Sequence, residues 1–177
     1  DPGGPDEQRY KMTWRDHGYL FACTSADGLT FHTERAIVDN GNLDSLNVAL
    51  WDPLRRKYVI YTRWWFREIP GMPNRRRGVA RAESDQWIGD WPEREVVMDP
   101  RDFPGNERGY RDFYTPGVFV YENLYLAMPT VYYRNVGRGP LAPSLMVSTD
   151  GIHFEWVGDG MPLIQRSPGE WDQGMLY

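Results

Sequence analysis

Cysteine is nearly absent: Cys23 stands alone, which excludes an internal disulfide and any thiolate-held metal cluster. In its strand-like setting a buried, unreactive thiol is expected. Histidine is almost as scarce, and His17, His32 and His153 show no metal-ligand spacing; neither a metal nor any other cofactor is expected. No apolar run approaches the ~18 residues of a membrane-crossing helix. Positive charge is also in deficit, since 20 Lys and Arg against 25 Asp and Glu leave a net charge of −5. Phosphate binding needs a basic surface, so nucleic acid is not an expected partner, and neither is a membrane. No complete catalytic signature stands in the sequence, and no segment assigns a compartment.

What is abundant suits short strands and tight turns: 18 Gly, 14 Pro and 15 % aromatic residues, with 41 % hydrophobic. One phrase occurs twice, Ser25-Ala-Asp-Gly-Leu-Thr-Phe31 and Ser148-Thr-Asp-Gly-Ile-His-Phe154, each between two short apolar runs. A repeated strand, turn, strand unit signals a repeat architecture. The stretches 44–61 and 112–128 each read as two apolar strands joined by a polar turn, a hairpin. Tyr10-Lys-Met-Thr-Trp14 repeats the second half of that hairpin, and residues 171–177 repeat the first half.

Spacing gives the size of the unit. Asp27, Asp85 and Asp150 mark successive third-to-fourth strand turns at intervals of 58 and 65 residues, and Asp44, Asp112 and Asp172 open successive first strands at 68 and 60. Four strands in about sixty residues make a propeller blade with long loops, because compact blades need only ~40 to 45 residues. The prediction is an all-β, partial β-propeller of about two and a half four-stranded blades. It comprises an incomplete blade over 1–43, full blades over 44–111 and 112–170, and the start of another at 171–177. Propellers close with ~4 to 8 blades, so the chain reads as an excerpt of a ring roughly twice its length, with the remaining blades of a parent protein as neighbours.

In an antiparallel blade, the start of strand one, the end of strand two, the start of strand three and the end of strand four share one face. That face gathers Asp44 with Asn47, Asp112 with Tyr114, and Asp172, together with the long loops 63–77 and 131–140. Long loops in compact domains are commonly functional. Trp64, Trp65, Tyr132 and Tyr133 supply flat faces for sugar rings, and Arg63 and Arg134 supply donors; for each aromatic, a core position between blades is an equal alternative. Asp44, Asp112 and Asp172 would converge on the axis, as glycoside cleavage requires of its paired carboxylates; for each alone, capping the turn that enters its strand is the alternative, and recurrence at one blade position favours the set. The run Arg75-Arg76-Arg77 reads first as a solvated loop flank and second as a carboxylate clamp for an acidic sugar. Asp27, Asp52, Asp85 and Asp150 are assigned to turn hydrogen bonding on the opposite face, and Glu122 is excluded as an acid because it lies there too.

These features resemble the five-bladed β-propeller glycoside hydrolases, the group that includes arabinanases, β-xylosidases and invertases, and are most similar to bacterial members of no assigned substrate. The likeness rests on Arg9-Tyr-Lys-Met12, Asn47-Val-Ala-Leu-Trp-Asp52, Gly78-Val-Ala-Arg-Ala-Glu-Ser-Asp85, Asp112-Phe-Tyr-Thr-Pro116 and Gly169-Glu-Trp-Asp-Gln-Gly-Met175. It implies polysaccharide degradation by three inner-strand carboxylates: an Asp as base or nucleophile, an Asp that holds geometry, and a Glu as acid. It is also compatible with secretion. The acid's Glu-Gly-Pro-like step reads Tyr114-Thr115-Pro116 here, so Tyr stands where the group has Glu. The reading is a carbohydrate-active protein, a glycoside hydrolase with Asp44, Asp112 and Asp172 as its carboxylates. Asn47, Arg63, Trp64, Trp65, Tyr114, Tyr132, Tyr133 and Arg134 would hold substrate. A non-catalytic sugar-binding propeller and a protein-interaction platform are the alternatives.

Overall fold

The structure, a computed structural model, describes residues 3–39, 41–44, 46–70, 75–134, 139–167 and 169–176. The tips of the two long loops and Tyr177 of the expected last strand lie outside the described residues. Strands β1 (Tyr10–Asp16), β2 (Tyr19–Ser25) and β3 (His32–Val38) form an antiparallel three-stranded sheet. Strands β4 (Val48–Asp52), β5 (Lys57–Phe66), β6 (Arg76–Ser84) and β7 (Glu95–Met98) form a four-stranded meander in chain order.

The third unit, expected as one four-stranded blade, is divided into two sheets. Its strands are β8 (Arg111–Thr115), β9 (Val118–Tyr121), β10 (Leu124–Ala127), β11 (Thr130–Tyr133), β12 (Leu141–Pro143), β13 (Met146–Ser148) and β14 (Glu155–Trp156), paired as β12-β11-β8 and β14-β13-β10-β9. The break runs across the unit at Pro116–Gly117, Met128–Pro129 and Ser144–Leu145. Proline cannot donate to a ladder, and Gly117 has a φ of 53°, where an added Cβ would collide with the Met128 carbonyl. Two backbone bonds, Met128 N to Gly117 O at 2.9 Å and Ser144 N to Pro129 O at 3.1 Å, carry the pairing across the break.

The three units stack in chain order. Strand β5 shows why: its Tyr58 and Ile60 join Leu20, Ala22 and Ile37 of the first unit, while Val59 and Tyr61 join Phe113, Val118 and Val131 of the third. A strand buried on both faces reads as an unbroken apolar run, as 58–61 does. Polar seams accompany the cores. The Trp87 indole donates to Cys23 O at 3.0 Å, the Tyr61 hydroxyl to Gly151 O at 2.7 Å, and the Tyr125 hydroxyl to Asp52 Oδ2 at 2.5 Å. Burial pushes the Tyr61 pKa up to about 12. Cys23 is buried, as expected. Residues 174–176 form no strand; they add a parallel bridge from Met175 to Leu141.

The two copies of the repeated phrase fold identically. Ser25 Oγ donates to Asp27 Oδ1 at 2.9 Å, and that oxygen also accepts the Leu29 and Thr30 amides at 2.8 Å each; Ser148, Asp150, Ile152 and His153 reproduce the set at the same distances. Asp52 likewise accepts the Leu54 and Arg55 amides. Asp85 is the exception. Its carboxylate pairs with Lys57 at 2.6 Å, and the turn keeps the serine bond, Ser84 accepting the Gln86 amide as Ser25 and Ser148 accept those of Asp27 and Asp150.

These turns carry an acid dependence. The amides of Thr30 and Leu29, with the Ser25 hydroxyl, hold Asp27 down at about 2. Burial raises Asp150, but His153 and the turn amides outweigh it and leave it below the carboxylate range. A carboxyl depressed on folding contributes stability that is complete above its unfolded value and lost as pH falls through its folded one. The expected result is therefore a fall in urea midpoint between about pH 4 and pH 2. That fall flattens in an Asp27→Asn, Asp150→Asn double variant, whose amide oxygens still accept the turn bonds. Parallel pH profiles for the two proteins would contradict it.

Candidate functional site

The site is built from the ends of strands in the second and third units. Antiparallel pairing sets Trp65 opposite Arg77 and Arg63 opposite Val79, and in the third unit Tyr132 opposite Asp112. Strand β6 runs beside β8, which carries Arg77 to Asp112. The Asp112 side chain is fully buried, and its Oδ2 is the focus of the cluster. That oxygen accepts Arg134 Nη2 at 2.7 Å, Arg134 Nε at 3.1 Å and the Arg77 amide at 3.3 Å, with Arg77 Nη1 at 3.4 Å. Its Oδ1 is buried without a hydrogen-bond partner among the described residues.

A second carboxylate lies on the same network. Asp44 precedes β4 and has a left-handed φ of 55°, which aspartate tolerates; Leu46 shares that φ, a conformation rare for a bulky residue. The Asp44 side chain is half exposed and paired with Arg63 Nη1, while Arg63 Nη2 donates to the Tyr114 carbonyl at 2.7 Å. Arg63 is itself buried, and its Nε has no partner among the described residues.

Guanidinium groups and aromatic rings alternate between these carboxylates. Arg63 and Arg77 lie 4.8 and 5.2 Å from the Tyr114 ring centre, Arg77 and Arg134 lie 5.3 and 5.4 Å from that of Tyr132, and Arg75 and Arg77 lie 4.4 and 4.7 Å from that of Trp65. Such contacts are worth ~0.5 to 2 kcal/mol each, more where water is excluded. Positive charge is in surplus. Burial lowers the Arg76 pKa, Arg134 lowers it further and Asp112 only partly restores it; for Arg77, burial again leads, Asp112 opposes it, and Arg63 and Arg134 complete a net fall.

The structure thus brings Asp44, Arg63, Trp65, Asp112, Tyr114, Tyr132 and Arg134 into one network and leaves four expected residues outside it. Successive strand residues point to opposite faces, so Trp64 turns instead to Arg94, 5.5 Å from its ring centre. Tyr133 turns to Arg111, at 5.9 Å, and lines a separate cavity with Gln165 and Arg166. Asn47 meets none of the network's side chains; its amide donates to the Asp44 backbone carbonyl at 3.5 Å, and it lines a cavity against Tyr10–Thr13 of the first unit. Asp172 is buried and takes the Ser167 hydroxyl at 3.1 Å.

The reading of 75–77 as a solvated loop flank is overturned for two of its three residues. Arg76 and Arg77 open β6, Arg76 is 2 % exposed, and Arg77 belongs to the Asp112 cluster. Only Arg75 is exposed. Among the described residues, no group of three or more His, Cys, Asp or Glu side chains is gathered to hold a metal ion, and no helix is long and apolar enough to cross a membrane.

No family model matches this sequence, and no curated protein does. Solved structures do. One described as a glycoside hydrolase superposes with a TM-score of 0.63 at 12 % identity, over 89 % of this chain and 47 % of that one. A thermostable family-43 glycoside hydrolase superposes with a TM-score of 0.61 at 14 % identity, over 89 % of this chain and 52 % of its own. At such identities the likeness is one of fold: the chain has the β-propeller architecture of these proteins and spans about half the length of each.

Proposed function

We propose that this chain is part of a five-bladed, carbohydrate-active propeller that cleaves glycosidic bonds in a poly- or oligosaccharide, the sugar lying across the network of Asp44, Arg63 and Tyr114. The observation that carries the reading is the meeting, at one end of two adjacent sheets, of a half-exposed carboxylate with stacked arginines and flat rings. Rings offer apolar faces to the sugar, guanidinium groups donate to its hydroxyls, and Asp44 serves as base or nucleophile. Asp112 is a positioning residue: fully buried, it reaches substrate only through Arg77 and Arg134. The acid and any third carboxylate come from Asp172 or from a further blade. The fold shared with glycoside hydrolases supports this reading.

One observation favours a second reading, sugar binding without turnover. Asp112 is committed to arginines and Tyr114 replaces the expected Glu, which leaves Asp44 as the network's exposed carboxylate. The deciding experiment gives the complete protein a panel of glycans and follows reducing-end release beside calorimetric binding. Hydrolysis is expected to appear as product from at least one glycan. Binding with no product after prolonged incubation selects the second reading, and neither binding nor product removes both in favour of a protein-interaction surface.

A further inference from the structure

The Arg63 and Trp65 side chains also border a groove of about 750 Å³ between the β1–β2 turn and the ends of β5 and β6. That volume is the size of a small-ligand site. Its described lining holds five arginines, Arg15, Arg63, Arg67, Arg75 and Arg94, against one carboxylate, Asp39. The chain as a whole is net −5, so this concentration is local. It is also specific in kind: of 20 basic residues, all but Lys11 and Lys57 are arginine.

Most of this charge is unspent. Among the described residues the side chains of Arg15 and Arg67 make no hydrogen bond, ion pair or ring contact. Arg75 stacks on Trp65 and pairs with no carboxylate among the described residues. Arg94 Nη1 is fixed by the Thr62 hydroxyl at 2.7 Å, and burial lowers its pKa against the pull of Asp39 and Glu93. Arg63 is the exception, paired with Asp44 through Nη1, and its buried Nε has no partner among the described residues. Trp64, beside Arg94, and Trp65, beside Arg75, each add a flat apolar surface to the lining, with the Trp65 indole fixed by Asn42 O at 2.8 Å.

Planar guanidinium forks match oxyanions bidentately, and rigid rings match sugar faces. We infer that this groove takes an anionic sugar unit of the substrate, its charge carried by a uronate carboxylate or a sulfate ester. The inference rests on the carbohydrate reading above and narrows it to acidic glycans.

The test is calorimetry on the complete protein with an oligogalacturonate, a sulfated galactan oligosaccharide, a neutral galactan oligosaccharide of equal length, and single-stranded DNA. One of the two acidic sugars is expected to bind at least tenfold more tightly than the neutral one, with an affinity that falls as salt rises; which one identifies the anion. An Arg15→Ala, Arg67→Ala double variant, whose lost side chains hold no other part of the described fold, should weaken that binding about tenfold or more and flatten its salt dependence. Equal affinity for acidic and neutral sugars overturns the inference while leaving the carbohydrate reading intact. So does an acidic preference unchanged in the double variant. DNA bound more tightly than any sugar overturns it in favour of a general polyanion surface, and binding of no sugar removes the carbohydrate reading with it.

Discussion

Asp112→Ala should lower the unfolding free energy by about 3–5 kcal/mol, the cost of removing one partner from a buried ion pair. The side chain is wholly shielded from water, and Arg77 and Arg134 both direct their donors to its Oδ2. Arg76, 2 % exposed, draws on the same negative charge. Truncation strands several guanidinium groups in a poorly solvated seam between the second and third sheets, where their mutual repulsion is only weakly screened. Asp112→Asn keeps an acceptor of the same shape and loses the charge, so it should fall between alanine and the parent. Arg134→Met should cost less than Asp112→Ala, because Arg77 still answers the carboxylate. Urea unfolding of the complete protein measures all three. A loss below about 1 kcal/mol for Asp112→Ala would mean that water or chain movement solvates the arginines, and the cluster would not be the anchor described here.

That cluster also marks the limit of what local sequence reveals. The repeated Ser-x-Asp-Gly turns were readable because every donor and acceptor in them lies within three residues of the aspartate. The strands of the second unit were readable for a similar reason, since β5 is apolar at every position from 58 to 61. Arg76 and Arg77 were not. Three consecutive arginines after a Pro- and Gly-containing stretch have the composition of a solvated flank, and what draws Arg77 in is a carboxylate 35 residues further on, delivered by the next sheet. The paired aromatics failed in a different way. Neighbours on a strand face opposite sides, so Tyr132 and Tyr133 meet different arginines, and only the pairing register decides which of them meets Arg77. The line of breaks through the third unit was announced by Pro116, Pro129 and Gly117, yet each residue alone is equally at home in a loop. Tyr114 is the instructive substitution. Where the resembling group carries a Glu, this chain presents a ring that receives Arg63 and Arg77 and a carbonyl that receives Arg63, so the site's local charge moves toward the positive.

Asp44→Asn is expected to lower turnover on a responsive glycan by roughly 10²- to 10⁴-fold, the range for removing a positioned acid or base. That corresponds to about 3–5 kcal/mol of barrier. The substitution separates two roles that alanine would confound. Asp44 holds Arg63 through Nη1, and Arg63 in turn holds the Tyr114 carbonyl through Nη2. An amide oxygen at the same position still accepts from a guanidinium, so the positional role largely survives; a proton-accepting or nucleophilic carboxylate does not. If Asp44 does the chemistry, kcat falls, KM stays near its parent value and the melting temperature shifts little, because the side chain is half exposed. If Asp44 only orients Arg63, kcat is nearly unchanged in Asp44→Asn and falls only in Asp44→Ala, with KM rising as the arginine loses its hold. The second pattern would move the base or nucleophile off this network, to Asp172 or to a carboxylate on another blade, and would leave the face described here as the part of the site that grips the sugar.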